Sequence, residues 1–247
     1  MVNRLKNINI VLSCSQQAWN KCVIGDSEQE HTFLIAQKVA ELLAGYNANV
    51  LLIPKLYDTE SGTLIEVVRQ SNNFINANGR IGYHLDIHTD AGGGRGASAF
   101  FLSEAGKGFI TQVYKEISNL TPWGDGSVSY RDNLYVLKHT DAVAGLVEVS
   151  FHDDKEQAKW IHLNIDNIAK AIVRGLVSTT GLVKVENTEP TTVDPAYKNC
   201  VDLVSAKIGL ASPEYWTKLK PGEKVPAEYC MRIIEKMANY IYTQTTV

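Results

Sequence analysis

From residue 7 onward the apolar positions switch back and forth between two periods. Residues 7–13 form a short β-branched apolar run, the composition of a strand buried on both faces of a sheet. Phe33, Ile35, Ala36, Val39, Ala40, Leu42 and Leu43 then recur at helical spacing, with Asp26 or Ser27 as N-cap and Gly45 as the stop. A strand at 50–53 follows, then a helix over about 59–75 carried by the stripe Leu64, Val67, Val68 and Phe74. Strands at 81–87 and 97–102, separated by Gly92, Gly93 and Gly94, precede a helix over about 105–120. Two further strands, 134–137 and 146–149, lead into a long helical stretch that closes with 161–177. This alternation predicts an α/β fold, a mostly parallel sheet with helices on both faces, whose ligands bind beyond the carboxyl ends of the strands. Chemistry is therefore expected among the residues that end or follow each strand.

The periodicity stops at residues 184–196, where Lys184 and Val185 open a polar run with prolines at 190 and 195. That composition reads as a linker. It divides the chain into a large domain at 1–183 and a small helical domain at 197–247. Amphipathic helices at 197–208 and 227–242 are expected there, around the turn Ser212-Pro213-Glu214-Tyr215-Trp216. Some fifty residues make a small core, so this appendage is expected to pack on itself, on the large domain, or on a second copy as a homo-oligomer.

Composition narrows the function. Lys and Arg number 24 against 27 Asp and Glu, a net charge of −3, so no basic excess points to nucleic acid or an anionic membrane. Four cysteines, at 14, 22, 200 and 230, show neither metal-type pairing nor the density of a disulfide scaffold and are read as reduced. The early apolar run, residues 8–12, is too short for a signal-peptide core, and no run is long enough to span a membrane. A cytoplasmic site of synthesis is expected.

Titratable residues gather at the predicted strand ends. His88 closes the strand at 81–87 and is followed by Thr89-Asp90-Ala91-Gly92, while Glu148 lies inside an apolar strand, where an unpaired carboxylate costs several kcal/mol. Glu28 and His31 stand three apart at the start of the first long helix, with Cβ atoms about 5–6 Å apart. If that helix start faces His88, then Glu28, His31 and His88 make a two-histidine, one-glutamate set of the kind that holds catalytic zinc with an open water position, leaving Glu148 as general base or acid. The bland alternatives are a hydrogen-bonded packing role for His88 and a helix-end preference for Glu28. His84 lies about 13 Å along the strand from His88, too far to share one ion, and reads as a buried supporting or core histidine. His139, His152 and His162 show no partner pattern and are expected at the surface.

In order and spacing, residues 7–15, 28–36, 85–91 and 146–151 resemble the zinc-dependent N-acetylmuramoyl-L-alanine amidases that cleave peptidoglycan, a family that includes bacteriophage endolysins of clostridial hosts. The resemblance spans about residues 5–180. Asp86-Ile87-His88-Thr89-Asp90-Ala91 is similar to the family's Ser-Ile-His-x-Asn-Ala segment, which implies a zinc ligand at His88. Glu28 matches the helix-borne zinc glutamate, and Leu146-Val147-Glu148-Val149-Ser150-Phe151 the segment holding the catalytic glutamate. The chain departs from the usual Gly-His-Gly-Gly loop, whose histidine is the third ligand. Its Ser13-Cys14-Ser15-Gln16-Gln17-Ala18-Trp19-Asn20 is similar instead to a subgroup with a Ser-Pro-Ser-x-Gln-x-x-Asn loop, which implies substrate-binding roles for Gln17 and Asn20. For the third ligand, His31 has the right chemistry; the other readings are Gln17 helped by a water, or a site that is not a normal zinc site. The resemblance implies hydrolysis of the amide between N-acetylmuramic acid and L-alanine of the stem peptide, with bacterial peptidoglycan as partner and an endolysin's stay in the host cytoplasm until lysis. Two alternatives stay open: a wall-binding module that has lost turnover, and a zinc peptidase of soluble peptides. The tail is similar to small helical modules of clostridial wall enzymes, whose Trp216 would stack on wall sugars or fill the little core.

Overall fold

A computed structural model describes residues 7–56, 60–79, 81–124 and 126–185. Its elements run β1 (Ile8–Cys14), α1 (Glu28–Leu43), β2 (Ala48–Leu52), α2 (Glu60–Ala77), β3 (Gly82–Asp90), β4 (Ser98–Phe101), α3 (Glu104–Ser118), β5 (Val128–Tyr130), α4 (Tyr135–His139), β6 (Val143–Phe151), α5 (Lys155–Leu163) and α6 (Ile165–Thr180). The strands form one sheet in the order β2-β1-β3-β6-β4-β5. The first four of these are mutually parallel, β4 runs antiparallel to β6, and β5 pairs parallel to β4. The expected α/β architecture, mostly parallel and covered on both faces, is what the chain adopts.

Strand residues alternate between the two faces. Ile10 and Leu12 of β1 and Leu85 and Ile87 of β3 join the large core shared with α1, α3 and α6, whereas Val11 faces the smaller core of α2 and α4. Helix α6 lies close against α3 because Gly175 has no side chain: a Cβ there would sit 2.5 Å from the Cα of Val113. Each fully buried Ile or Leu of this core contributes roughly 1.5–3 kcal/mol by leaving water.

Three expectations fail, each for a local reason. Residues 134–137, read as a strand, are the N-cap Leu134 and the first residues of the short helix α4, with Val136 and Leu137 buried. Strand β6 already pairs with β3 on one side and β4 on the other, so they have no place beside the strand that follows them, and so short an apolar run carries no decisive period. Strand β5 has only three residues and was not foreseen. The last helical stretch is two helices, divided at Asn164, the C-cap of α5.

The large domain continues two residues past its expected boundary. Lys184 bridges to Tyr46, and the Val185 N–H donates to the Gly45 carbonyl at 2.9 Å. The remainder of the linker and the two helices expected at 197–208 and 227–242, with Trp216, Cys200 and Cys230, lie outside the described residues. Among the described residues no helix is long and apolar enough to cross a membrane.

Candidate active site

The site grows out of the pairing of β3 with β6, which sets His88 directly opposite Glu148 in register. Cross-strand partners project to the same side, so an imidazole and a carboxylate stand together near the carboxyl end of the sheet. The register shifts between His88 and Asp90, which turns the end of β3 where it meets α1.

Helix α1 begins there because Ser27 and Glu30 form a capping box: the Ser27 hydroxyl accepts from the Glu30 N–H, and the Glu30 carboxylate accepts from the Ser27 N–H. Glu28, the next residue after the cap, is buried. Its Oε1 lies 2.9 Å from Nδ1 of His88 and accepts from the Thr89 N–H at 3.2 Å; its Oε2 accepts from Nδ2 of Asn20 at 2.8 Å. Burial pushes the Glu28 carboxyl up, but the charge and hydrogen bond of His88, with Asn20 and Thr89, outweigh it and leave Glu28 below its ordinary range.

A buried polar relay backs His88. Its Nε2 is 3.4 Å from Oδ2 of Asp86, the Asp86 Oδ1 accepts from Ser13 Oγ at 2.6 Å, and Ser13 Oγ meets Nε2 of His84 at 2.8 Å. His84, Asp86 and His88 alternate along β3 and so share one face. Burial drives the His84 pKa down to about 4, which keeps it neutral at the end of the relay. Burial alone would lower His88 as well, yet Asp86 and Glu28 hold it well above its ordinary value. His84 is thus the buried supporting histidine that its strand position implies.

Glu148 differs from its neighbours. Burial pushes its pKa up to about 8; His88 opposes this, and Glu28, Asp90 and Asp86 add to it. Its Oε2 is buried with no hydrogen-bond partner. Glu28, His88 and Glu148 place one ligand-type atom each within 4.8 Å of one another. Two carboxylates and an imidazole around an orphaned oxygen suit a divalent cation, whose charge would offset the crowded negative groups. Beside them a cleft of about 230 Å³ is lined by Gln17, Asp86, His88, Asn133, Tyr135 and Leu146.

Not every expected residue converges here. His31 is buried on the other side of the α1 start, with Nδ1 3.0 Å from Asp26 Oδ2 and Nε2 2.6 Å from Thr89 Oγ1. The expected placement of His31 in the set with Glu28 and His88 is not what the geometry shows: both ring nitrogens are engaged elsewhere, and the atoms that group with Glu28 and His88 are those of Glu148. Gln17 lines the cleft, and its Oε1 accepts from Asn20 Nδ2 at 3.4 Å. Asn20 holds Glu28 and sits 3.2 Å, through Oδ1, from Nε2 of His152. Gln16 is buried, its Oε1 accepting from the Leu56 N–H and from Gln29, which pins the loop after β1.

His152 and His162 were expected at the surface. His152 is instead buried, its Nδ1 within reach of the carbonyl and hydroxyl of Thr89, and His162 packs edge-on to His31 at 5.4 Å. The available signal was the position of His152 immediately after β6, a strand end like that of His88.

Comparison with known proteins agrees with this geometry. Residues 10–178, more than half of the chain, match the family described as N-acetylmuramoyl-L-alanine amidase. Among solved structures, the catalytic domain of the amidase CwlV from Bacillus (Paenibacillus) polymyxa var. colistinus is 19% identical, with a TM-score of 0.57 over 69% of this chain and 97% of that one. An N-acetylmuramoyl-L-alanine amidase of Nostoc punctiforme is 16% identical, with a TM-score of 0.59 over 69% of this chain and 96% of its own. The catalytic domain of an endolysin targeting Clostridia Difficile is 19% identical, with a TM-score of 0.58 over 70% and 99%. At these identities the structures speak for the fold alone. No curated protein sequence matches the chain. A strand-borne histidine facing a strand-borne glutamate, an acidic helix start closing on both, and the family match over 10–178 together place the chain in the N-acetylmuramoyl-L-alanine amidase family of hydrolytic enzymes.

Proposed function

We propose that the protein is a zinc-dependent peptidoglycan amidase that hydrolyses the bond between the lactyl group of N-acetylmuramic acid and L-alanine of the stem peptide. The observation that carries this reading is the convergence of Glu28, His88 and Glu148 within 4.8 Å beside an open cleft. Glu28 and His88 would hold the ion, each already oriented from behind, Glu28 by Asn20 and the Thr89 N–H and His88 by Asp86. A zinc ion there supplies Lewis acidity, which lowers the cost of negative charge on the attacking water and on the carbonyl oxygen. Glu148 takes the proton of the attacking water and returns it to the nitrogen as the C–N bond breaks, leaving a lactyl carboxylate and a free L-alanine amine. Its raised pKa suits this work, because a nearby cation brings a carboxyl near 8 down toward working pH. Gln17, on the cleft wall, is placed to hydrogen-bond the substrate. Asn20 acts through Glu28 and is a positioning residue.

The deciding experiment measures free amino groups released from purified wall, together with zinc content, for the wild type and Glu148→Gln. Release by the wild type and its loss in the variant with zinc retained is the expected result. Wall binding without release in the wild type would favour a wall-binding module, and cleavage of soluble peptides alone would favour a peptidase.

An endolysin role, with the protein held in the host cytoplasm until lysis, belongs to the same proposal, as does wall targeting or self-association through residues 197–247. The fold likeness to an endolysin catalytic domain supports the first. It requires lysis of producing cells only once their membrane is opened. The composition of the linker supports the second. A chain ending at Val185 should keep its rate on soluble muropeptides and pellet poorly with intact wall, since tethering raises local concentration without altering the chemical step.

A further inference from the structure

On the far side of the α1 start lies a second cluster that the amidase chemistry does not use. Cys22 and Asp26 close a tight turn, the Cys22 N–H donating to the Asp26 carbonyl at 2.9 Å and the Gly25 N–H to the Cys22 carbonyl at 3.0 Å. Gly25 has φ of 123°, a conformation that favours glycine. His31 follows one turn into α1. The sulfur of Cys22, a carboxylate oxygen of Asp26 and a ring nitrogen of His31 lie within 4.8 Å of one another. From α5, His162 brings its Nε2 to 2.9 Å from Oδ2 of Asp26.

Two details define the chemistry of this cluster. The Nδ1 of His162 lies 2.8 Å from the Ala158 carbonyl, which only accepts, so Nδ1 carries the hydrogen. In the neutral ring Nε2 then presents a lone pair to a carboxylate oxygen, and a proton or a metal ion must lie between them. Asp26 Oδ1, moreover, is buried without any partner. A proton between His162 and Oδ2 leaves Oδ1 bare; a divalent ion held by Asp26, His31 and the Cys22 sulfur would engage it.

We propose that Cys22, Asp26 and His31 form a second metal site, a zinc site whose carboxylate is held from outside by His162. Sulfur, imidazole and carboxylate are the ligands zinc takes. A tetrahedron with bonds of about 2.0 Å to nitrogen and oxygen has edges of about 3.3 Å, so the contact of 3.0 Å between His31 and Asp26 needs to open only a few tenths of an ångström. The ion displaces the thiol proton, and Nε2 of His31 keeps its hydrogen bond to Thr89 Oγ1, the outer partner a ligating histidine requires. Its consequence is mechanical: three ligands close to one another in sequence are fastened to α5, which braces the loop bearing Asn20 behind Glu28.

Cobalt substitution of the full chain tests this separately from the catalytic ion. The Glu28, His88 and Glu148 set contains no sulfur, so a thiolate-to-cobalt charge-transfer band in the near ultraviolet that depends on Cys22, among the four cysteines of the chain, reports the second site. We expect the band in the wild type and, undiminished, in the Glu28→Ala, His88→Ala double variant, so failure of the catalytic reading would not mimic failure here. Cys22→Ser should abolish the band and lower the bound metal by one ion per chain. His162→Ala, at a half-buried position, should weaken band formation by about tenfold or more while the circular dichroism of the fold is kept. A wild type without the band, or a band that survives both Cys22→Ser and His162→Ala, overturns the proposal.

Discussion

Two clusters of histidine and carboxylate flank the first turn of α1, and they differ in what their side chains have left to offer. On one side, Glu28 and Asp86 hold His88 between them while Glu148 keeps an unpartnered oxygen beside a cleft. On the other, Asp26 Oδ2 meets both His31 and His162, and Thr89 Oγ1 lies within hydrogen-bond distance of both His31 and His152. The divider is the strand itself. His88 and Thr89 are consecutive in β3 and project to opposite faces, so the first meets Glu28 and the second meets His31. Three residues apart on a helix are neighbours, but a strand end between them sends each to a different site. The residue types at the two places are nearly the same, and each keeps one unpartnered carboxylate oxygen; only the cluster beside an open cleft is built to meet a substrate.

That contrast breaks most clearly at His88. His88→Ala should bring wall cleavage to background and remove the catalytic ion, because the site has few ligands to spare; zinc content and amino-group release check both. Cleavage at an unchanged rate would mean that the two clusters have been assigned the wrong way round. Glu148→Gln should lower kcat by about 10²-fold or more while zinc and wall binding are kept, the signature of a lost proton carrier.

The next effect is one of pH and belongs to the His84 end of the relay. The folded pKa of His84, about 4, lies below that of the unfolded chain, so the unfolded state binds the extra proton. Its stabilising contribution is complete above about pH 6.5 and is lost as the pH falls toward 4, by about 3 kcal/mol at about 1.4 kcal/mol per unit. Urea titrations at a series of pH values should show this loss shrinking in His84→Gln, which cannot take up the proton.

His31→Ala provides the mildest catalytic comparison. It strands Asp26 and Thr89 in a buried setting and should cost about 2 kcal/mol, a melting shift of about 4–8 °C, while kcat on soluble muropeptide stays within about tenfold of wild type. Loss of the catalytic ion in this variant would return His31 to the place its chemistry suggested.

Much of this was legible in the sequence, and the failures are instructive. The β-branched run at 7–13, the stripe from Phe33 to Leu43 and the alternation through residue 177 carry the fold class, because hydrophobic period reports which way each residue must face, a local property. The rule that ligands bind at strand ends singled out His88, and a carboxylate inside an apolar strand singled out Glu148. Helix α4 was misread because five residues hold too little period, and its state was settled by β6 having both edges taken. His152 and His162 had no visible partner, since Asn20 lies 132 residues from the first and Asp26 136 from the second. Which of Glu28 and His31 meets His88 was likewise beyond reach of spacing. The sequence by itself determined the layers, the faces and the residues able to do chemistry. Only the tertiary structure decided their partners, because sheet order and register bring distant chain segments together, and the hydrogen bonds made there determine which lone pairs remain free.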